Sequence, residues 1–120
     1  MPVDPTGETV RQFRDEDDGG PVVMLNLLRY AGDAGRASYA EYGARVGPFL
    51  EAVGATVLYA GACSTALVAG EEDWDAILVV RYPTRGAFLA MVADPAYQEI
   101  THLRTEGLEA AVLQATTPWG

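Results

Sequence analysis

The sequence predicts an α+β fold: a ferredoxin-like βαββαβ arrangement with an extra N-terminal helix and one four-stranded antiparallel sheet. Apolar runs of strand length, bounded by turn residues, alternate with stretches of helical periodicity. A chain of 120 residues buries enough surface for one core, so we expect a single domain over 1–120, with its core at about 20–117. Two of the runs are apolar on both faces, which predicts a sheet covered on both sides.

The N-terminal segment carries the signals of a short amphipathic helix at about residues 4–17. Asp4 or Thr6 can cap its start, and Val10 and Phe13 recur at helical spacing. A turn containing glycine and proline then breaks the chain.

The first strand and a long helix follow this turn. Val22–Tyr30 is an apolar run of strand length. After a loop at 32–35, a helix is predicted from Ser38, with Pro48 kinking or breaking it and Gly54 ending it. One face of this helix carries side chains at steps of three and four: Tyr39, Tyr42, Val46, Phe49 and Val53.

The second half of the chain is predicted to hold three strands and two helices. Gly61 marks a bulge or a close approach within the first of these strands. Right-handed crossovers then give the strand order 4-1-3-2. The predicted elements are strands Thr56–Val68 and Trp74–Tyr82, helices Arg85–Ala93 and about 95–104, and strand Leu108–Thr117.

The first and third strands also predict a homodimer. Each of these strands carries apolar residues on both of its faces, whereas the helices cover only one face of the sheet. The other face would expose more than the roughly few hundred Å² of apolar surface that a monomer tolerates. We therefore expect two sheets to pack face to face as a dimeric α/β barrel, with a space between them.

Composition excludes several classes of function. The net charge is −9, from 17 acidic and 8 basic residues, and the chain has no lysine, so Schiff-base chemistry is excluded and nucleic-acid binding is disfavoured. One histidine and one cysteine cannot build a structural zinc site or an intrachain disulfide. Without an apolar targeting segment, we expect a cytoplasmic protein with neither nucleic-acid nor membrane partners. We expect no metal and no cofactor; haem bound through His102 is the weaker alternative.

Two polar residues interrupt the apolar strands and are candidates for a ligand site. Asn26 is either a satisfied structural amide or a substrate-binding group, because a buried amide without partners costs about 1–3 kcal/mol. Arg81, near the end of its strand, either reaches the surface or holds an anion. Whether the two share a face depends on strand register, since a slip of one residue reverses the answer.

Aromatic residues with polar atoms and the single histidine complete the candidate site. Tyr59, Trp74 and Tyr97 are candidates for substrate binding. His102 and Arg81 are the candidate catalytic residues, because histidine transfers protons near neutral pH and arginine stabilises a developing anion. A surface or packing role is the alternative for His102.

Several motifs together resemble the domain-of-unknown-function family 1330 over about residues 20–115. They are VVMLNLLRY, SYAEYG, VLYAGACS, WDAILVVRYPTRGAFLAMVADPAYQ and HLR. The resemblance implies dimeric α/β barrels in which two ferredoxin-like sheets pack face to face. The wider superfamily includes cofactor-free monooxygenases, isomerases, polyketide cyclases, haem enzymes and ligand-binding regulators, so the fold does not select an activity. The monooxygenase-like branch carries a carboxylate and a histidine where this chain has Val80 and Met91.

Three functions stay open at this stage. The chain is expected to bind a small apolar or aromatic anionic metabolite between its sheets, as a cofactor-independent monooxygenase-, isomerase- or cyclase-like enzyme. The alternative is a homodimer that binds a ligand without catalysis. In a third, structural interpretation, Met24, Leu28 and Leu78 fill the interface between the sheets and leave no pocket.

Overall fold

The computed structural model describes residues 2–119, and it confirms the ferredoxin-like α+β fold. The strands form one antiparallel sheet in the order β2-β3-β1-β4, which is the predicted order read from the other edge. The elements are α1 (Gly7–Asp15), β1 (Val22–Tyr30), α2 (Gly32–Ala52), β2 (Thr56–Ala62), β3 (Ala76–Tyr82), α3 (Arg85–Ala93), α4 (Pro95–Gln98), α5 (Thr101–Gly107) and β4 (Leu108–Thr116).

The strand register determines which side chains face the helices. Along β1, burial alternates, with Met24 and Asn26 buried and Leu25 partly exposed. Met24 lies opposite Val80, and Asn26 lies opposite Leu78. This face contacts the helices through a core cluster of buried residues: Val22, Met24, Tyr42, Val80, Tyr82, Phe88, Met91, Tyr97 and Ile100.

The opposite face of the sheet, which we call the outer face, is also apolar. Leu25 pairs with Val79 and Leu27 with Ile77 across the β1–β3 ladder. None of the helices lies on this face in the described residues, and its side chains stay partly exposed. The outer face comprises Val23, Leu25, Leu27, Tyr59, Ile77, Val79 and Val112.

Helix α2 differs from the prediction at its start. It begins at Gly32, so the predicted loop at 32–35 and the predicted start at Ser38 are wrong. The amide of Ala31 donates to the Gly107 carbonyl at 2.9 Å, and a Cβ on Gly35 would lie 2.7 Å from that same oxygen. This tertiary contact at α5 holds a glycine-rich turn in helical form, against the poor helix propensity of glycine.

The far end of α2 was predicted in part. Pro48 does not break the helix, which continues to Ala52. Pro48 is exposed, so water can solvate the helix carbonyl that proline leaves without an amide donor. Gly54 follows the helix with a φ of 75°, as expected for a C-terminal glycine.

Strand β2 is shorter than predicted. It ends at Ala62, and β3 begins at Ala76, so the predicted extensions to Val68 and from Trp74 are wrong. The register shifts between Val57 and Tyr59 rather than at Gly61. The close approach at Gly61 is present, however, because the Tyr59 ring lies where a Cβ on Gly61 would be.

The remaining differences concern the last helices. The segment predicted as one helix forms two, α4 and α5, with Ile100 buried at their junction.

Between residues 2 and 119, none of the helices combines the length and apolar composition needed to cross a bilayer.

Candidate ligand-binding cavity

A cavity of about 700 Å³ lies between the helices and the sheet. Its walls are largely apolar, with Leu78 and Leu113 from the sheet and Val46 and Met91 from the helices. The volume is that of a typical small-molecule site, in which a few polar groups orient the ligand. The polar cluster of this cavity comprises Asn26, Tyr39, Tyr42, Tyr97 and Arg104.

Strand β1 positions Asn26 in the polar cluster. The residue is 9% exposed and shares its face with Met24. Its Nδ2 donates to the Leu78 carbonyl at 3.3 Å and to the Met24 carbonyl at 3.5 Å, which are long and therefore weak hydrogen bonds. No group within residues 2–119 donates to Oδ1, so this oxygen can accept a hydrogen bond from a ligand.

Two tyrosines from different helices form a hydrogen-bonded pair in the cavity wall. The hydroxyls of Tyr42 on α2 and Tyr97 on α4 lie 2.8 Å apart, and both residues are buried. In such a pair one hydroxyl donates to the other, and the accepting hydroxyl keeps its own proton. The pair therefore offers one O–H donor to a ligand.

Burial raises the pKa of two tyrosines of the polar cluster, Tyr39 and Tyr42. Desolvation raises the pKa of Tyr42, and the neighbouring Tyr97 adds to the increase. Desolvation likewise raises the pKa of Tyr39 to about 12, although the positive charge of Arg104 opposes this shift. Both phenols are therefore hydrogen-bond donors or acceptors near pH 7 and cannot act there as anionic bases.

Arg104 supplies the positive charge of the polar cluster. It lies on α5, and its side chain is 12% exposed. Nη1 donates to the Val3 carbonyl and contacts Asp4 Oδ1 at 3.3 Å. Nη2 is buried and has no hydrogen-bond partner within residues 2–119. Arg104 lines the cavity, and its unsatisfied nitrogen leaves the guanidinium with a spare donor for an anionic oxygen.

Comparison with known proteins places the chain in a family. Residues 34–116 match the family described as "Domain of unknown function (DUF1330)". The chain belongs to this family. Its sequence is 35% identical to that of RPA0582, a protein of unknown function from Rhodopseudomonas palustris, and the structures superpose with a TM-score of 0.91 over 98% of this chain and 97% of that one. The predicted resemblance is thereby confirmed.

More distant structures share the fold of this DUF1330 protein. SnoaB, a cofactor-independent oxygenase from Streptomyces nogalater, is 13% identical, with a TM-score of 0.61 over 84% of this chain and 95% of that one. A dimeric ferredoxin-like protein of unknown function from Thermobifida fusca is 15% identical, with a TM-score of 0.59 over 84% and 93%. At these identities the likeness shows the fold alone. A search of curated proteins found no match.

The structure brings some of the predicted site residues of this DUF1330 protein together and separates others. Asn26 and Tyr97 both line the cavity. Arg81 lies opposite Val23 in the sheet, and Val23, three residues before Asn26, faces the other side of the strand. Arg81 is therefore on the opposite side of the sheet from Asn26, and it is exposed. Tyr59 is on the outer face and 58% exposed. The register, which the sequence left open, therefore places Asn26 and Arg81 on opposite faces of the sheet.

The other predicted residues lie away from the cavity. His102 is exposed on α5, and Trp74 is partly buried in the connection before β3. Neither lines the cavity. The cavity itself lies on the helix side of the sheet, not between two sheets. Met24, Leu28 and Leu78 also face the helices, so they cannot fill a sheet-to-sheet interface.

Sequence reasoning missed three members of the polar cluster. Tyr39 and Tyr42 were identified only as the apolar face of a helix, because tyrosine at helical spacing is equally typical of a core. Arg104 sits among polar neighbours in the sequence, and nothing local indicates its burial. The available signal was the order Tyr39, Tyr42, Val46 on one helix face, which puts two hydroxyls in line.

Proposed function

We propose that this protein binds a small, mainly apolar molecule carrying an ionised oxygen group, in the cavity between its helices and its sheet. The unpaired Nη2 of Arg104 is the observation that carries this proposal. A bound anion would give that nitrogen its missing acceptor. The apolar walls would hold the rest of the molecule.

The remaining polar groups fit an oxygen-bearing ligand. The Tyr42–Tyr97 pair offers a donor, and Oδ1 of Asn26 offers an acceptor. Within the described residues, the lining includes neither histidine nor cysteine, and its one carboxylate, Asp4, is bound by Arg104. The cavity is therefore equipped to hold an anion and hydrogen-bond its oxygens, but not to remove a proton with a group that titrates near neutral pH.

This donor-rich lining also favours one kind of catalysis as a second candidate function. A substrate that ionises by itself near neutral pH, giving an enolate or a phenolate, needs no protein base. Arg104 and the tyrosine pair would stabilise its negative charge, as in a cofactor-independent oxygenase, isomerase or cyclase. Incubating the protein with acidic aromatic 1,3-diketones and polyphenols, while following oxygen uptake and product mass, tests this candidate. Product that forms equally fast with Arg104→Gln would contradict it.

A pair of matched probes tests the binding proposal. Calorimetric titration compares 2-naphthoate with its neutral counterpart 2-naphthamide, which has the same ring and almost the same shape. We expect Arg104→Gln to weaken 2-naphthoate binding by about tenfold or more, the loss of one charge-assisted contact, while 2-naphthamide binding changes less than about twofold. Arg45→Gln, on an exposed arginine of α2 paired with Glu41, is the control and should change neither affinity.

A second variant tests the location of the site. Gly43 lines the cavity, and a Cβ built on it meets nothing within 4 Å, so Gly43→Leu can add a side chain there without a clash. We expect it to weaken the binding of both probes. Unchanged affinity for 2-naphthoate in both Arg104→Gln and Gly43→Leu would refute the proposed site.

We also propose that a second copy of the chain covers the outer face. Leu25, Leu27, Ile77 and Val79 form a continuous apolar surface there, which the helices leave open. Two such faces packed together would make the dimeric barrel that the sequence predicts. Sedimentation equilibrium at micromolar concentration measures the mass directly, and a monomer would contradict this assembly.

A further inference from the structure

The N-terminal segment, residues 2–15, covers one end of the helix-side space. Asp4, Pro5 and Val10 line the main cavity, and Val3, Thr9 and Phe13 line an adjoining recess of about 330 Å³. Helix α1 has no buried residue. The segment is therefore a cover laid over the cavity rather than a part of the core, and such weakly packed elements open first.

Two different kinds of contact attach this cover to the domain. At its C-terminal end, the Phe13 ring packs edge-on against Phe88 at 5.3 Å, and the Arg85 guanidinium lies over the Phe13 ring at 4.7 Å. Arg85 also donates to the Phe13 carbonyl at 3.1 Å. This end is fixed mainly by aromatic packing, which a carboxylate group cannot replace.

At its N-terminal end, the cover is attached through Asp4. One carboxylate oxygen contacts Arg104 Nη1 at 3.3 Å, and Thr105 Oγ1 donates to the carboxylate at 3.0 Å. The Asp4 side chain is 51% exposed, whereas Arg104 is 12% exposed. Asp4 is thus half-exposed and contacts only one of the two terminal nitrogens of the guanidinium.

A planar carboxylate can form more hydrogen bonds with this guanidinium than Asp4 does. The fork formed by Nη1 and Nη2 binds two carboxylate oxygens at once, and Nη2 is unpaired within residues 2–119. Nη2 is buried, so a ligand carboxylate coming from the cavity would engage both nitrogens only as the Asp4 end moves aside, and it would meet the negative charge of Asp4 there. The two anions cannot share one guanidinium without repulsion.

We propose that Asp4 is an internal competitor for the Arg104 site, and that a monocarboxylate ligand displaces it and detaches residues 2–6 from the cavity mouth. This inference rests on the proposed binding function and names its ligand class. The Phe13 contacts stay in place, so α1 acts as the hinge side of the cover. Ligand entry and release of the Asp4 end are then one coupled event.

Affinity measurements with matched charge changes test the competition. We expect Asp4→Asn to bind 2-naphthoate two- to fivefold more tightly than the wild type, in line with the modest strength of a half-exposed ion pair. Affinity for 2-naphthamide should not change. Glu8→Gln is the control, because it alters net charge equally within α1 but lines neither cavity; it should leave both affinities unchanged. Asp4→Ala repeats the test without an amide that could replace the lost contact.

Hydrogen exchange gives a second, independent readout. Saturating 2-naphthoate should speed exchange of the amides at residues 7–10, and 2-naphthamide should not. If 2-naphthoate binds through Arg104 but Asp4→Asn and Asp4→Ala bind it no better than Glu8→Gln, the competition is refuted while the binding function stands. If 2-naphthoate binds neither the wild type nor Asp4→Asn at millimolar concentration, the binding function fails and this inference fails with it.

Discussion

Two glycines of one helix provide a sharp test of how α2 is seated. Replacing either Gly35 or Gly43 with alanine removes the same entropic penalty, worth about 0.8–1 kcal/mol in a helix interior. The surroundings of the two residues differ. A Cβ on Gly43 meets nothing within 4 Å, whereas a Cβ on Gly35 would lie 2.7 Å from the Gly107 carbonyl oxygen and 2.8 Å from Ala31 Cβ.

The two substitutions should therefore change stability in opposite directions. Gly43→Ala keeps its full propensity gain and should raise the free energy of unfolding by about 1 kcal/mol. At Gly35 the contact with a backbone oxygen must open by several tenths of an ångström, and overpacking of this kind costs about 1–3 kcal/mol or more. Two atoms lie closer than 3.0 Å, so the cost falls in the upper part of that range, about 2–3 kcal/mol, and after the propensity gain Gly35→Ala should be destabilised by about 1–2 kcal/mol.

Urea unfolding followed by circular dichroism measures both values. The midpoints of the two variants should lie on opposite sides of the wild type with unchanged m-values, since only native-state stability changes. Gly107→Ala approaches the same contact from the other side, with its Cβ 2.9 Å from the Gly35 carbonyl oxygen, and should also be destabilised. Gly35→Ala as stable as Gly43→Ala would show that α2 and α5 are not in close contact.

The same contact matters for the cavity, because α2 carries Tyr39 and α5 carries Arg104. A wider gap between the helices would move the guanidinium away from the tyrosines. We expect Gly35→Ala to weaken 2-naphthoate binding, although Gly35 does not line the cavity. Gly43→Ala, whose added methyl group meets open space, should bind it nearly as the wild type does.

The remaining predictions concern the outer face and the tyrosines. Leu25→Asp should give a monomer in sedimentation equilibrium, because a charge at the centre of the outer face cannot be buried in an interface; Glu109→Asp, at an exposed rim residue, should not. Between pH 10 and about 12, Tyr39 is ionised in the unfolded state but still neutral in the folded state. The free energy of unfolding should therefore fall as the pH rises through this range, by about 2–3 kcal/mol for this residue. Tyr39→Phe should reduce this alkaline loss of stability. Tyr97→Phe leaves the Tyr42 hydroxyl without its partner and should cost about 1–2 kcal/mol in urea unfolding, and adding Tyr42→Phe should recover part of that cost, whereas additive losses would contradict a direct bond.

The fold followed from the sequence because its signals are strong and redundant. The run Val22–Tyr30 is apolar at seven of its nine positions, on both faces of the strand, and its partner strand repeats the pattern, so both strands had to be central. The start of α2 did not follow, since its helical form depends on a contact with Gly107, far along the chain. Local propensity at 32–35 favours a loop, and a tertiary contact reverses it.

The site followed only in part, for a reason of geometry. Asn26 stood out as an amide in an apolar run and does line the cavity. Arg81 stood out in the same way but lies on the other face, because pairing of Asn26 with Leu78 puts the two residues out of phase. Arg104 is buried by the N-terminal segment, about a hundred residues away in sequence, which no local pattern reveals.

The two apolar faces of the sheet have different consequences for function. Helices cover one face incompletely, and the space that remains is the cavity with its single mostly buried guanidinium. The outer face is apolar and the helices leave it open, so it is suited to pairing with a second copy. Ligand binding and pairing would then depend on opposite faces of the same strand. Asn26 lies on the face toward the cavity, and Leu25 and Leu27 lie on the outer face. A strand that serves both needs must be apolar on both faces except where the ligand requires a polar atom. The part of β1 from Val22 to Leu28 has that composition, with Asn26 as its one polar residue.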